Sequence, residues 1–167
     1  MSKTRENLKE AFAGESQANR RYLAFAKKAD KDKFPMVARL FRAAAEAETV
    51  HAMNHLRALK GVGSTPDNLK AAAEGEAAEF KKMYPDFIKQ AQQEKDEDAE
   101  QTFDYANQVE EIHHKLYSRA MDAVGGGKDL PTADLYVCQG CGNTVEGEPP
   151  QKCPICGAPK RMFKEVE

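Results

Sequence analysis

No stretch of this chain is apolar for long enough to cross a bilayer as a helix, so an integral helical membrane protein is excluded. A surplus of one charge is missing too: 25 Lys and Arg against 27 Asp and Glu leave a net charge of −2. That balance gives no electrostatic support to a nucleic-acid or membrane-surface partner. Strand-forming residues are scarce, with Leu135-Tyr136-Val137 the main run, which leaves a mainly α fold. Cysteine does not occur before residue 138, so the helical part holds no thiolate. Nothing resembles a nucleotide site. No signal peptide is evident either, and a reducing cytoplasm is the expected compartment.

What the chain does have is a duplication. Glu48-x-x-His51 recurs as Glu110-x-x-His113, 62 positions on, and Phe41 and Ala44 recur as Phe103 and Ala106 at the same offset. Glu15 and Glu76 also correspond, about one residue out of that register. Each copy therefore brings a lone Glu on a first helix and a Glu-x-x-His on a second. Residues three apart share a helix face, so each Glu-x-x-His offers an oxygen and a nitrogen to one point. Two copies facing across an antiparallel four-helix bundle would turn four carboxylates and two imidazoles inward, the ligand pattern of carboxylate-bridged di-iron and di-manganese bundles. Carboxylate and imidazole donors suit iron or manganese, and the lack of thiolate argues against copper(I). Burying several carboxylates also requires compensating cations.

The helix signals agree with this layout. The first helix spans about residues 5–29. Pro35 opens a second, which Gly61 and Gly63 stop, and Thr65-Pro66 caps and starts a third. Pro85 falls inside the third pattern and predicts a kink or a local opening just beyond Glu76 and Glu79. The fourth runs from about Asp96 to Val124, before Gly125-Gly126-Gly127. His55, one turn after His51, is read as a supporting or surface residue. The repeat selects Glu110 and His113 over the neighbouring Glu111 and His114.

All four cysteines lie in two knuckles, Cys138-Gln-Gly-Cys141-Gly and Cys153-Pro-Ile-Cys156-Gly. Paired Cys-x-x-Cys turns set four thiolates on a tetrahedron for zinc or a single iron. The eleven-residue spacing between them leaves both metals open. Composition shifts from Ala, Glu and Lys to Gly and Pro at this point, and so short a segment needs a metal to hold it together. The expected organisation is a bundle over residues 1–126, a linker over 127–134 and a metal domain over 135–167.

Taken together, Ala-Gly-Glu15-Ser-Gln-Ala, Glu48-x-x-His51, Gly-Glu76-x-x-Glu79, Met-Tyr84-Pro-Asp-Phe, Glu110-Glu-Ile-His113 and the terminal knuckles make the chain resemble a rubrerythrin over essentially its whole length. The resemblance implies a ferritin-like four-helix bundle followed by a rubredoxin-like domain. It also implies a di-iron peroxidase, in which two electrons and two protons turn hydrogen peroxide into water for oxidative-stress defence. One iron would take Glu15 with His51 or Glu79, the other Glu76 with His113, and Glu48 and Glu110 would bridge them. In the family one iron exchanges its His for the extra Glu on oxidation, here His51 and Glu79. The first copy holds Ala18 where the second has Glu79. Tyr22 and Tyr84 match tyrosines able to hydrogen-bond ligand carboxylates. Electrons would pass through iron at Cys138, Cys141, Cys153 and Cys156, from rubredoxin or a rubredoxin reductase fed by a nicotinamide cofactor. A head-to-tail homodimer or higher oligomer is implied, with one copy's thiolate iron near the other's di-iron site. Some relatives exchange helix pairs, which the loop from Gly61 to Thr65 leaves open. The alternative function is ferroxidase or iron storage, and a zinc-clipped, metal-responsive binding protein is a third reading.

Overall fold

The structure, a computed structural model, describes residues 2–167 and divides into two compact units, the first ending at Gly63 and the second starting at Ser64. The first unit is a helical hairpin of α1 (Lys3–Lys31) and α2 (Pro35–Ala58). Its antiparallel sense follows from contacts at both ends. Arg5 near the start of α1 donates to the Leu59 carbonyl just past α2 at 3.0 Å, and Arg42 on α2 pairs with Asp30 at 2.8 Å. Between them the Asn19 amide donates to the Ala45 carbonyl at 2.7 Å and the Thr49 hydroxyl at 2.9 Å.

Alanine makes this hairpin close. Ala38, Ala45, Ala52 and Leu59 are buried at heptad spacing on α2 and at its C-cap, opposite a chain that buries Ala18, Ala26 and Ala29. A seven-residue seam of small side chains lets two helices approach along their length. Met36, Val37, Leu40, Val50 and Met53 of α2 stay exposed, Leu40 at 68%, whereas Phe41 and Leu56 are part-buried. That is more apolar surface than a lone helix hairpin ordinarily leaves to water.

The second unit contains α3 (Thr65–Ala78), a π-helical turn (Glu79–Met83), α4 (Tyr84–Glu94) and α5 (Glu97–Gly125), followed by β1 (Leu135–Cys138), β2 (Thr144–Glu146) and β3 (Phe163–Val166). The cap of α3 is Ser64, one residue before the expected Thr65. Its hydroxyl accepts from the Asp67 N–H while the Asp67 carboxylate accepts from the Ser64 N–H, a reciprocal pair that outcompetes a cap at Thr65. The sequence signal at Pro85 is matched by a local opening just beyond Glu76, the π turn Glu79–Met83. Pro85 follows directly on that turn, within helical backbone that continues from α3 through it into α4. The opening lies just upstream, where the Tyr84 N–H reaches back five residues to the Glu79 carbonyl. The three short strands form an antiparallel sheet in the order β2-β1-β3, with Tyr136 opposite Val145 on one side and Glu165 on the other. Among the described residues no helix is long and apolar enough to cross a membrane.

Candidate metal centres

Each helical unit gathers one carboxylate–imidazole triad. In the first, Glu15 from α1 meets Glu48 and His51 from α2, with one ligand atom of each within 4.8 Å of the others. The i,i+3 geometry brings His51 Nδ1 to 2.8 Å from Glu48 Oε2. In the second, Glu76 from α3 meets Glu110 and His113 from α5 under the same distance limit. His113 Nδ1 lies 2.7 Å from Glu110 Oε2 and 3.9 Å from Glu76 Oε1. His55 joins neither cluster. His114 points elsewhere: its Nδ1 donates to the Ala73 carbonyl at 2.9 Å and its ring stacks near Phe80, so it ties α5 to α3.

The duplication extends further than the ligands. Tyr22, Phe25 and Phe41 form an aromatic trio in the first unit, and Tyr84, Phe87 and Phe103 form its counterpart 62 positions on. The Tyr–Phe centroid distances are 6.3 Å in both trios, and Phe25–Phe41 and Phe87–Phe103 are both 5.5 Å. Phe25 and Phe87 were legible as part of this repeat by offset alone, although their pattern also reads as ordinary core. Glu15 maps to Glu76 at only 61 positions, so one extra residue has entered the second copy between Glu76 and Tyr84. The π turn at Glu79–Met83 is where the helix takes it up.

Electrostatics mark the second triad as short of positive charge. Burial, and then repulsion from Glu110 and Glu79, raise Glu76 to about 7. Burial and Glu110 also raise Glu79, against the pull of His113. Tyr84 is raised by burial and by all three carboxylates, which sets its phenol beside the cluster. Crowded, part-buried oxygens with one imidazole are a donor set that fits a hard or borderline divalent cation such as iron or manganese.

A pH prediction follows for metal-free protein. Folded Glu76 keeps a proton up to about pH 7, whereas the unfolded carboxyl loses it near its ordinary value of about 4.3. The folded state therefore binds more protons in that window, and stability falls as pH rises through it. Solvent screening limits the loss to about 1–2 kcal/mol. Denaturant midpoints between pH 4.5 and 7 measure it, and Glu110→Gln should flatten the slope. A slope of opposite sign would show that Glu76 is not the group being titrated.

The four thiols are free of disulfides and converge at one point. Cys138 Sγ and Cys156 Sγ are 3.6 Å apart, as are Cys141 Sγ and Cys153 Sγ. A tetrahedron of metal–sulfur bonds near 2.3 Å has edges of about 3.8 Å, so the cage fits zinc or iron. The knuckles repeat one turn: the Gly142 N–H donates to the Cys138 carbonyl at 2.8 Å, and the Gly157 N–H to that of Cys153 at 3.0 Å. Both glycines have positive φ, 87° and 74°, which explains the Gly after each second Cys. Burial opposes ionisation of Cys141 and Cys156 and raises both. At Cys153 the backbone N–H groups of Cys156 and Ile155 overcome burial and lower the thiol to about 7. The buried Asn143 amide reaches the same sulfur at 3.7 Å, a contact the spacing of cysteines did not announce.

This domain sits on α5 of its own chain. Glu146 pairs with Arg119, and Thr144 Oγ1 lies 2.9 Å from His113 Nε2. The chain's own thiolate domain thus reaches the second triad. Thr144 carries no motif, so nothing in the sequence marked it.

Residues 6–121 match the family model described as Rubrerythrin, and residues 136–164 match that of the rubrerythrin rubredoxin-like domain. Rubrerythrin-2 of Clostridium acetobutylicum is 38% identical over 175 residues, covering 96% of this chain and 95% of that protein. Nigerythrin of Nitratidesulfovibrio vulgaris is 37% identical over 175 residues, covering 96% of this chain and 85% of its own. Among solved structures, the fully reduced, all-ferrous state of nigerythrin superposes with a TM-score of 0.58 at 33% identity, covering 99% of this chain and 88% of that one. Related over nearly its whole length to proteins that carry both parts, the chain belongs to the rubrerythrin family, oxidoreductases that join a di-iron site in a ferritin-like helical fold to a rubredoxin-like domain with four cysteines.

Proposed function

We propose that this chain reduces hydrogen peroxide to water, at a di-iron centre to which both triads contribute and with electrons entering through iron held by the four cysteines. The observation that carries this reading is the seating of the thiolate domain on α5, with Thr144 against a ligand of the second triad. A redox domain so placed supports a site that is fed electrons, and ferroxidation or iron storage uses none. The reaction consumes one peroxide, two electrons and two protons, and yields two waters. When bound, the two irons supply the two electrons and act as Lewis acids towards charge on the oxygens.

The chain's own groups supply the rest. Glu15, Glu48 and His51, with Glu76, Glu110 and His113, are the proposed ligands. Glu79 is the proposed further carboxylate, which would offer an alternative to His51 and one more negative charge for a more highly charged metal. The Tyr84 phenol keeps its proton because burial and three carboxylates oppose its loss, so it can donate a hydrogen bond to one of them. Tyr22 is the proposed equivalent in the first copy. The donor is proposed to be rubredoxin or a rubredoxin reductase. A homodimer or higher oligomer is supported by the exposed apolar stripe of α2, and a metal–thiolate site fits a cytoplasmic setting.

Stopped-flow mixing of anaerobically reduced, iron-loaded protein with peroxide tests the reading. Rapid return of both ferric signals, two electrons consumed per peroxide and a slower reaction with dioxygen are expected. Oxidation of the carboxylate site with the thiolate domain silent would move ferroxidase ahead. Ferric thiolate is red and zinc colourless, so the same samples identify the metal in the tail.

A further inference from the structure

We infer that Thr144 is a positioning residue for the metal site: it sets the tautomer and orientation of His113 from the thiolate domain. The inference rests on reading Glu76, Glu110 and His113 as ligands. The hydroxyl of Thr144 lies between two partners, His113 Nε2 at 2.9 Å and the Gly142 carbonyl oxygen at 3.2 Å. A carbonyl oxygen only accepts, so the single hydroxyl hydrogen goes to Gly142. The Thr144 oxygen is then free to accept an N–H from His113 Nε2. The Glu110 carboxylate 2.7 Å from Nδ1 only accepts, so without metal Nδ1 donates to it; a metal held by Glu110 and His113 would take the Nδ1 lone pair and leave Nε2 as the N–H that Thr144 accepts. The ligating nitrogen is thereby fixed by a residue outside the helices.

The first triad has no such device. His51 Nδ1 faces Glu48, but among the described residues its Nε2 meets no partner, and its side chain is 54% exposed against 26% for His113. The repeat makes the two ligands equivalent, and among the described residues only His113 has both ring nitrogens engaged. The same pair of hydrogen bonds joins the imidazole to the residue that follows Cys141, so the contact also records that the thiolate domain is docked. A metal-bound His ordinarily gives its second N–H to a fixed acceptor, and losing that acceptor weakens metal binding by about 10- to 100-fold.

The test uses the full-length chain with zinc in the cysteine site and cobalt(II) titrated into the carboxylate site. Thr144→Val keeps the shape and removes the hydroxyl, while Thr144→Ser keeps the hydroxyl. Cobalt affinity should fall about 10-fold or more in Thr144→Val and return close to wild type in Thr144→Ser. In all-zinc protein, nitrogen NMR of His113 should show a slowly exchanging Nε2–H that the valine variant loses. Arg119→Ala loosens the same docking without touching His113. If it weakens cobalt binding as much as Thr144→Val does while the Nε2–H stays as protected as in wild type, docking and not the hydroxyl is responsible, and the inference falls. Unchanged affinity and Nε2–H protection in Thr144→Val overturn it as well. Wild-type protein that takes up no cobalt beyond the cysteines overturns instead the ligand reading on which it rests.

Discussion

Replacing Cys153 by alanine should unfold the C-terminal domain while the helices keep their structure. The core of that domain is Cys138, Cys153 and Phe163, with Tyr136, Cys141, Val145, Ile155, Cys156 and Ala158 packed around them. Four of these nine positions are the metal ligands themselves, so little apolar area remains once the metal is gone. The strands are short and pair only with each other. Structural zinc contributes about 10–16 kcal/mol in zinc-finger peptides of similar size, far more than such a core supplies alone. Losing one thiolate also leaves the metal more dependent on Cys141 and Cys156, whose ionisation burial already opposes. Cys153→Ala protein should lose the dispersed amide signals of residues 135–167 and become cleavable there, with helical circular dichroism nearly unchanged. A chelator acting on the wild type should produce the same state. If the alanine variant stays protected from protease, the small core holds itself and the metal is a passenger.

The parts legible in the sequence were those written twice or written periodically. Glu48 and His51 could be paired because three residues make nearly one helical turn, and the second copy at Glu110 and His113 separated a ligand pattern from a solvated face. Cysteine spacing announced the cage, and the glycines after Cys141 and Cys156 announced its turns. Three features were not legible in full, for separate reasons. The cap at Ser64 rather than Thr65 depends on Asp67 reaching back, and both residues are good caps taken alone. The π turn was legible in place, since Pro85 marked an opening just beyond Glu79, but not in kind, because the one-residue slip between Glu15–Glu76 and Tyr22–Tyr84 fits a loop insertion equally. The contact of Thr144 with His113 joins a helix to a domain beyond the linker, and no local rule relates residues so placed. A boundary at Gly63–Ser64 was marked by glycine, but glycine marks a turn and a break between compact units alike.

Deleting Lys82 should destabilise the protein, and adding Glu79→Ala should restore it. The deletion removes the extra residue from the π turn and returns the spacing from Glu76 to Tyr84 to that of Glu15 and Tyr22, which a plain α-helix satisfies. The aromatic trio need not suffer, because the first copy builds the same trio without the insertion. Position 79 does suffer. Its counterpart in an uninterrupted helix is Ala18, which is only 8% exposed, whereas Glu79 with the π turn in place is part-exposed. Straightening the helix would drive a carboxylate into a site shaped for a methyl group. An unpaired buried polar group costs about 1–3 kcal/mol, and a charge more, so the deletion should lower stability by about 3 kcal/mol. With alanine at 79 the second copy becomes a version of the first, and most of that loss should return. The coupling in a double-mutant cycle, read from urea midpoints of metal-free protein, measures the effect. If the double variant is as unstable as the deletion alone, the turn serves α4 packing and not the carboxylate. If it recovers, the π turn is the backbone change that allows this copy to carry an additional acidic residue beside Glu110, and the asymmetry between the two halves of the duplication originates in one inserted residue.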